Sequence, residues 1–212
     1  MLIIGAKGFA KEVIEVLHQS NYPDEIYLFD DVHAELTGKL WNKYPILKTV
    51  EEVRIFFAIN AKFAIGIGNP LLRSNMYDKF TALGGHCCSV ISPFAHIGLH
   101  DNNIGEGSCI MTGSVITSSV TLGQCALINL HTTIGHDSTI GDFVELSPGV
   151  RISGNCRIGD YVSIGSNASV IPRIHIGSNV VIGAGSVITQ NIPDNSLVVG
   201  VPGKVVRTLD PI

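Results

Sequence analysis

A repeat of six residues restricts the fold of this 212-residue chain more than any other feature of its sequence. Every sixth residue from Ile104 to Ile188 is Ile, Leu or Val, in fifteen positions out of fifteen. These three residue types form about 30% of the chain, so chance agreement is on the order of one in 10⁸. An α-helix repeats every 3.6 residues and a strand every 2, and neither period fits. The pattern predicts short parallel strands joined by tight turns, with three strands to a coil of eighteen residues.

Glycines recur within the repeat at an interval of eighteen residues, which predicts that one corner of each coil needs a bare backbone. They are Gly105, Gly123, Gly141, Gly159 and Gly177. The ninety residues 104–193 would make five coils, and Ile91 and Ile97 continue the ladder backwards with one extra residue near His100. The sequence therefore predicts a parallel β-helix with a continuous inward ladder of aliphatic side chains.

The first ninety residues differ in composition and in pattern. They contain 19 charged residues, against 8 in the ninety residues of the repeat. Apolar strands alternate with helix patterns: strands at Leu2–Gly5, Glu25–Phe29 and Phe63–Gly68, and helices around Val13–Leu17, from near Thr49 and at Leu71–Leu83. This order predicts a small Rossmann-like α/β domain over residues 1–88, followed by the β-helix domain over residues 89–212, in a chain that is mainly β.

Polar and glycine-rich turns follow all three apolar strands of the first domain. Gly5 and Gly8 lie between the first strand and its helix, where free N–H groups and the helix dipole favour a phosphate. Asp30 and Asp31 follow the second strand, and the segment from Gly66 to Gly68 closes the third. The carboxyl ends of parallel strands meet at one edge of a sheet, so a nucleotide-bearing ligand is the interpretation that explains all three turns together. Taken singly, each turn could serve only the fold.

One of the eight histidines stands out by its place in the repeat. His136 follows the inward Ile134 by two residues, which puts it at a corner of the coil with Asp137 beside it. A histidine there can act as a general base near neutral pH, with the carboxylate orienting the ring and stabilising its charged form. The alternative is an exposed turn histidine without a chemical role.

Composition excludes several classes of protein. The formal net charge of −4 provides no basic surface for nucleic acid, and no apolar run reaches the roughly 18 residues of a membrane span. The first residues do not resemble an export signal. Five cysteines, an odd number with Cys87 and Cys88 adjacent, argue against a disulfide framework and for the reducing cytoplasm.

Five short segments narrow the class to which the repeat belongs: Gly5–Glu12, Phe29–Asp31, Ala64–Asn69, Ile134–Gly141 and Gly200–Lys204. Together with the hexad repeat, they resemble the NeuD/PglD-type sugar acetyltransferases over nearly the whole chain. The resemblance implies a left-handed β-helix, a homotrimer, acetyl-CoA as co-substrate and no metal. It also implies that the N-terminal domain holds a nucleotide-activated sugar and that CoA lies between neighbouring β-helices.

The same resemblance assigns roles to individual residues. His136 matches the catalytic base of the family and Asp137 its acidic neighbour, while Gly8, Asp30 and Asp31 match nucleotide-binding positions. Asn129 matches an asparagine in the sugar site. The positions that line the CoA groove are matched by Glu145, Gly154, Ser166 and Ala184. This chain departs from the family at Phe9 and Glu145, where histidines are common, and at Lys7, where a small residue is common.

The resemblance implies N-acetylation of the 4-amino group of a 4-amino-4,6-dideoxy sugar by direct attack on the thioester, and the glycine turn with Asp30 and Asp31 favours a nucleotide-linked form of that sugar. O-acetylation of sialic acid or of another polysaccharide sugar is the first alternative. A γ-carbonic-anhydrase-like zinc enzyme would use His131 and His136, but the third histidine that it needs is out of phase, since His96 misses the required position. A β-helix scaffold without catalysis is a further alternative. The sparse charge of the repeat predicts that its flanks are covered by trimerisation.

Overall fold

The computed structural model describes all residues from 1 to 212, and its first part is a parallel α/β sheet. The strands are β1 (Leu2–Ile4), β2 (Tyr27–Phe29), β3 (Lys39–Leu40), β4 (Tyr44–Leu47), β5 (Lys62–Ile65) and β6 (His86–Cys87). The helices are α1 (Gly8–Gln19), α2 (Val50–Phe57) and α3 (Pro70–Ala82). The sheet order is β3-β4-β2-β1-β5-β6, and only β3 is antiparallel to its neighbour. The predicted alternation of strands and helices is confirmed.

The helices of this part begin where the sequence provides caps. Helix α1 buries one apolar face against the sheet, including Val13 and Ile14. Helix α2 starts with a capping box, in which the Thr49 side chain accepts from the Glu52 N–H and the Glu52 carboxylate accepts from the Thr49 N–H. Helix α3 has Asn69 as its N-cap and proline at its first position.

Three strands were predicted too wide, the first by one residue, since β1 ends at Ile4 rather than Gly5. Strand β2 begins at Tyr27 rather than Glu25, because its partner β1 pairs only from Leu2 onwards. Strand β5 ends at Ile65 rather than Gly68, because the neighbouring β1 ends at Ile4 and both chains then turn away from the sheet. The residues 66–69 that follow β5 therefore form a loop.

The second part is the predicted parallel β-helix, built from seventeen two-residue strands and a terminal hairpin. The two-residue strands are β7 (Val90–Ile91), β8 (His96–Ile97), β9 (Asn103–Ile104), β10 (Cys109–Ile110), β11 (Val115–Ile116), β12 (Thr121–Leu122), β13 (Leu127–Ile128), β14 (Thr133–Ile134), β15 (Thr139–Ile140), β16 (Glu145–Leu146), β17 (Arg151–Ile152), β18 (Arg157–Ile158), β19 (Ser163–Ile164), β20 (Ser169–Val170), β21 (His175–Ile176), β22 (Val181–Ile182) and β23 (Val187–Ile188). The hairpin consists of β24 (Ser196–Val199) and β25 (Lys204–Thr208).

These strands form three sheets, one on each side of a triangular coil. Strands eighteen residues apart pair in parallel register, so that Ile116 faces Ile134 and Ile134 faces Ile152. An eight-stranded sheet runs from β7 to β25, a six-stranded sheet from β8 to β23, and a five-stranded sheet from β9 to β21. The aliphatic ladder forms one buried cluster of 25 residues, which confirms the predicted core. Ile91 lies in register but is 38% exposed, because β7 is the edge strand of its sheet.

The corners explain why the period is six. Every sixth residue from Gly107 to Gly185 has a positive φ, including His131 and Asp137. The glycines at intervals of eighteen lie elsewhere in the coil and do not share this conformation. A Cβ on Gly141 would lie 2.3 Å from Asp160 Oδ1 and 2.7 Å from the carbonyl carbon of Gly159. Glycine is required there by the close stacking of consecutive coils, which confirms the expected need for a bare backbone.

The two parts meet between Cys87, the last residue of β6 in the first sheet, and Val90, the first residue of β7 in the β-helix. Helix α1 contacts β7, and Val90 packs in the same buried cluster as Val13. None of the three helices combines the length and the apolarity that a membrane crossing requires.

We expect Gly141→Ala to destabilise the fold by about 1–3 kcal/mol, because the added methyl group collides with the backbone of the next coil. Gly185→Asn is the matched control: its corner has φ +68° with nothing within 4 Å of an added Cβ, and asparagine already occupies equivalent corners at Asn155, Asn167 and Asn179. Urea unfolding should separate the two variants. Equal stability of both would contradict the stacking argument.

Candidate functional site

The carboxyl ends of β1, β2 and β5 border a crevice of about 460 Å³. Helix α1 leads from β1 to one side of the sheet, and the chain returns on the other side in β5, so the crevice lies at the topological switch point. The structure brings together in it all six predicted residues of the N-terminal domain, which are Gly5, Gly8, Asp30, Asp31, Gly66 and Gly68.

The start of α1 gives the crevice an anion-binding end. Lys7 is the N-cap residue, yet its side chain caps nothing, and the first turn contains no acidic residue. The first turn therefore adds no negative charge of its own at this end of the crevice, and its free N–H groups favour an anion. The ammonium groups of Lys7 and Lys79 add positive charge at the rim, although each also pairs with a carboxylate, Lys7 with Glu35 at 2.6 Å and Lys79 with Asp31 at 3.2 Å.

Two of the crevice glycines are needed for different reasons. A Cβ on Gly66 would lie 2.7 Å from Ala10 Cα, so its bare backbone lets α1 pack against the end of β5. Gly8 has φ +30° and nothing within 4 Å of the position of a Cβ. Gly66 therefore serves the fold, whereas Gly8 leaves space at the mouth of the crevice.

The two aspartates also differ. Asp30 is buried, and its carboxylate accepts from the N–H groups of Val32 at 3.1 Å and His33 at 2.8 Å. Its second oxygen lies 2.9 Å from Nδ1 of His33. Burial alone would raise the pKa of Asp30, but these hydrogen bonds and His33 together hold it below its ordinary value. Asp30 thus fixes its own loop, and Asp31, which is exposed and pairs only with Lys79, is the carboxylate that a ligand can reach.

The catalytic pair predicted in the repeat lies at a corner of the β-helix. His136 follows β14, and its Nδ1 lies 2.7 Å from Asp137 Oδ2, with both side chains exposed. Asp137 has φ +59°, because it occupies a corner position. The ring lies directly over the next coil, where a Cβ on Gly154 would be 2.7 Å from His136 Nε2. The structure therefore brings His136, Asp137 and Gly154 together, with Nε2 available to a substrate.

The other predicted β-helix residues lie at different places. Asn129 follows β13 at the preceding corner, where its Oδ1 accepts from the Leu130 N–H at 2.7 Å. Ser166 and Ala184 follow β19 and β22 of the eight-stranded sheet, whereas Gly154 follows β17 of the six-stranded sheet. A single chain therefore does not place Ser166, Ala184 and Gly154 at the same corner.

Glu145 of β16 lines a second cavity, of about 610 Å³, on the eight-stranded sheet. The walls of this cavity are the start of α3, the outer face of the sheet around Tyr161 and Ser163, and the C-terminal residues 210–212. Ser163 Oγ donates to Glu145 Oε2 at 3.3 Å. Burial raises the pKa of Glu145, while the charge of Arg73 and the Ser163 hydrogen bond act in the opposite direction.

Sequence reasoning missed Arg73, which joins the two parts of the molecule. Its guanidinium is buried and donates to the carbonyls of Cys125 at 2.9 Å, Phe143 at 2.7 Å and Val144 at 3.0 Å, all at corners of the β-helix. It also donates to Ile67 and Gly68, in the loop that borders the crevice. His33 and Lys79, which line the crevice, were likewise missed. No three His, Cys, Asp or Glu side chains are grouped as metal ligands.

We expect Asp30→Asn to lower the free energy of unfolding by roughly 1–2 kcal/mol at pH 7, because charged acceptors form the stronger hydrogen bonds. The folded-state pKa is depressed, so the contribution is complete above the unfolded value of about 3.9 and disappears as the pH falls through the folded one. Urea unfolding from pH 7 to pH 3 should show the gap narrowing at the acid end. Asp31→Asn, an exposed control, should change stability by less than about 0.5 kcal/mol.

We expect Arg73→Met to destabilise the protein by roughly 3–5 kcal/mol, because the buried carbonyls of Cys125 and Phe143 lose their donor and that of Val144 keeps only the Leu127 N–H. Arg54→Met, on the exposed face of α2, is the matched control and should stay within about 0.5 kcal/mol of the parent. Urea unfolding measures both. Parent-like stability of the Arg73 variant would show that the contact between the N-terminal domain and the β-helix does not depend on the guanidinium.

Both parts of the chain match known protein families. Residues 1–80 match the model of the PglD N-terminal domain, and residues 155–190 match the bacterial transferase hexapeptide model. A curated GDP-perosamine N-acetyltransferase of Escherichia coli O157:H7 is 27% identical over 154 residues, which are 69% of this chain and 66% of that protein. The alignment thus spans slightly less than two thirds of that relative.

Solved structures agree over almost the whole chain. A mutant of the perosamine N-acetyltransferase of Caulobacter crescentus, in complex with CoA and GDP-perosamine, matches with a TM-score of 0.89 and 27% identity, covering 97% of this chain and 96% of that one. The acetyltransferase domain of PglB from Neisseria gonorrhoeae, in complex with acetyl coenzyme A, has a TM-score of 0.88 and 31% identity, covering 97% and 98% of the two chains. The chain belongs to the PglD-type sugar acetyltransferases, the hexapeptide-repeat family that its sequence resembles.

Proposed function

We propose that the protein transfers the acetyl group of acetyl-CoA to the 4-amino group of a nucleotide-linked 4-amino-4,6-dideoxy sugar. The observation that carries this proposal is the match over 97% of the chain to an enzyme whose structure holds CoA and GDP-perosamine. The match includes both parts that the reaction needs, the crevice of the N-terminal domain and the His136 corner of the β-helix. A curated relative with the same named activity supports the choice of an amine acceptor.

The N-terminal crevice would hold the nucleotide diphosphate. The free N–H groups at the start of α1 suit the phosphates, and Lys7 and Lys79 add positive charge at the rim. Asp31 is the exposed carboxylate beside them and can accept from a ribose or a base. Gly8 leaves space for the ligand at the mouth of the crevice, which Gly66 and Gly68 also line, and Asn129 would contact the sugar.

His136 would act as the general base of the transfer. The neutral amine of the sugar attacks the thioester carbonyl, Nε2 of His136 takes the proton that the nitrogen loses, and the same proton goes to the leaving CoA thiolate. Asp137, 2.7 Å from Nδ1, keeps Nε2 free to accept and stabilises the charged ring. Backbone N–H groups around Gly154 would stabilise the oxyanion, an effect worth about 3–4 kcal/mol per donor in other enzymes.

A homotrimer would complete this site. Gly154 lies at the corner after the six-stranded sheet, while Ser166 and Ala184 lie at the corner after the eight-stranded sheet. A groove for acetyl-CoA that contacts all three therefore needs a second β-helix beside the first. Glu145 would lie at the end of the groove nearest the N-terminal domain. The five cysteines are free thiols, as expected of a cytoplasmic enzyme.

We expect His136→Ala to lower kcat by about 10²–10⁴-fold, because general-base assistance to the amine is lost. The assay measures free CoA released from acetyl-CoA in the presence of UDP-, dTDP- or GDP-linked 4-amino-4,6-dideoxy sugars. His175→Ala is the matched control, since His175 is an exposed histidine of the five-stranded sheet and should retain full activity.

Near-parent turnover of the His136 variant would contradict the assignment of the base. Absence of turnover by the parent with every amino sugar, together with turnover on sialic acid, would replace N-acetylation by O-acetylation. Light scattering on the same preparations tests the assembly, and a monomer that is fully active would contradict the shared groove.

A further inference from the structure

Glu145 lies where the nucleotide crevice and the second cavity approach each other. Gly68 borders the nucleotide crevice, and a Cβ on Gly68 would lie 3.3 Å from Glu145 Oε1. The next residue, Asn69, begins the wall of the second cavity, which Glu145 also lines. The carboxylate is therefore beside the short loop that separates the crevice from the second cavity.

One oxygen of this carboxylate has no partner in the protein. Oε2 accepts from Ser163 Oγ at 3.3 Å, and no donor lies within hydrogen-bond distance of Oε1. Arg73 is close enough to influence Glu145 electrostatically, but its guanidinium donates only to backbone carbonyls. A buried structural counter-ion would be expected to bond the guanidinium directly. Oε1 is thus free to accept from a ligand.

The charges around the second cavity favour a cation. Its lining contains two carboxylates, Glu145 and Asp210, and no Lys, Arg or His. The other charged or titratable groups beside Glu145 are the buried Arg73 on α3 and the Tyr161 hydroxyl on the same sheet. A phosphate would be repelled at this place, whereas the ammonium form of an amine would gain a charge-assisted hydrogen bond.

We propose that Glu145 is the specificity residue that selects an amine over a hydroxyl at the acceptor position of the sugar. This inference rests on the proposed function, because it takes the nucleotide to be held in the crevice. Gly68 lines the end of the crevice beside Glu145, so a sugar attached to a diphosphate at the start of α1 would extend past this loop toward Oε1. The ammonium binds in its charged form and releases one proton to solvent. The neutral amine that remains is the nucleophile for the transfer.

The experiment measures binding, so that it does not depend on turnover. Calorimetry compares nucleotide sugars that carry an amine at C4 with the same sugars that carry a hydroxyl, as UDP-, dTDP- and GDP-linked pairs. We expect the parent to bind one of the amino sugars at least 10-fold more tightly than its hydroxyl counterpart at pH 7. Glu145→Gln should lose about 10- to 100-fold in affinity for that amino sugar and little for the hydroxyl sugar.

Four further measurements separate recognition from a structural role. The loss in Glu145→Gln should diminish as the pH rises above the pKa of the free amine, since only the ammonium needs the carboxylate. Glu145→Asp should restore part of the preference, and Glu106→Gln, an exposed carboxylate of the same β-helix, should leave it unchanged. The corresponding nucleoside diphosphate alone should bind the parent and Glu145→Gln equally.

The proposal is overturned if the parent shows no preference for any amine, or if Glu145→Gln keeps the preference. It is also overturned if the variant loses affinity for the nucleoside diphosphate to the same extent, because that result indicates damage to the crevice. Preference for the amine without acetylation of it would instead refute the proposed transfer and leave the role of Glu145 standing. The two failures are therefore distinguishable.

Discussion

Close stacking of successive coils is the constraint on which the rest of the structure depends. Backbone hydrogen bonds join each strand to the next coil, as from the Gly123 N–H to the Ile140 carbonyl at 2.8 Å, and the aliphatic ladder fills the interior. Residues eighteen positions apart therefore lie directly above one another. This is why His136 rests on Gly154: the coil that carries the imidazole and the coil beneath it keep a fixed separation, and only glycine leaves room for the ring.

The same corners hold the N-terminal domain in place. Carbonyls at Cys125, Phe143 and Val144 accept from one buried guanidinium, that of Arg73, which also contacts the loop bordering the crevice. A cation that binds only neutral carbonyls is costly to desolvate, and burial accordingly lowers the pKa of Arg73. The hydrogen bonds to five backbone carbonyls offset this cost, and they also fix the loop that borders the crevice relative to Glu145. Arg73 thus adds a polar link between the crevice and the β-helix to the apolar contact of α1 with β7.

The sequence predicted the structural features that arise from repeats and from neighbouring residues. It did not predict the contacts between residues that are far apart in the chain. The hexad period predicted the β-helix because every sixth residue occupies the same buried environment. The glycines and aspartates at the strand ends predicted the crevice. Arg73 left no signal, since its β-helix partners are backbone carbonyls 52–71 residues away and any residue type can supply them. Asp30 fixes its own loop because its carboxylate contacts the ring of His33, three residues later. The pattern of charges along the sequence does not reveal this contact. The interval of eighteen located the stacking glycines, but backbone geometry was needed to show that contact, and not conformation, requires them.

The low charge of the β-helix follows from the same geometry. A β-helix with three strands to a coil has a small interior and a large outer surface. Its sequence stacks aliphatic residues inward and has only 8 charged residues in ninety, so its outer faces are broad and neutral. His136 follows the six-stranded sheet, whereas Glu145 lies on the eight-stranded sheet beside the crevice of its own N-terminal domain. If the amine of the sugar binds Glu145 of one protomer, His136 of that protomer lies on a different side of the coil. The amine is then reached most directly by His136 of a neighbouring protomer. Assembly would then cover the neutral flanks and bring the base to the amine in a single step.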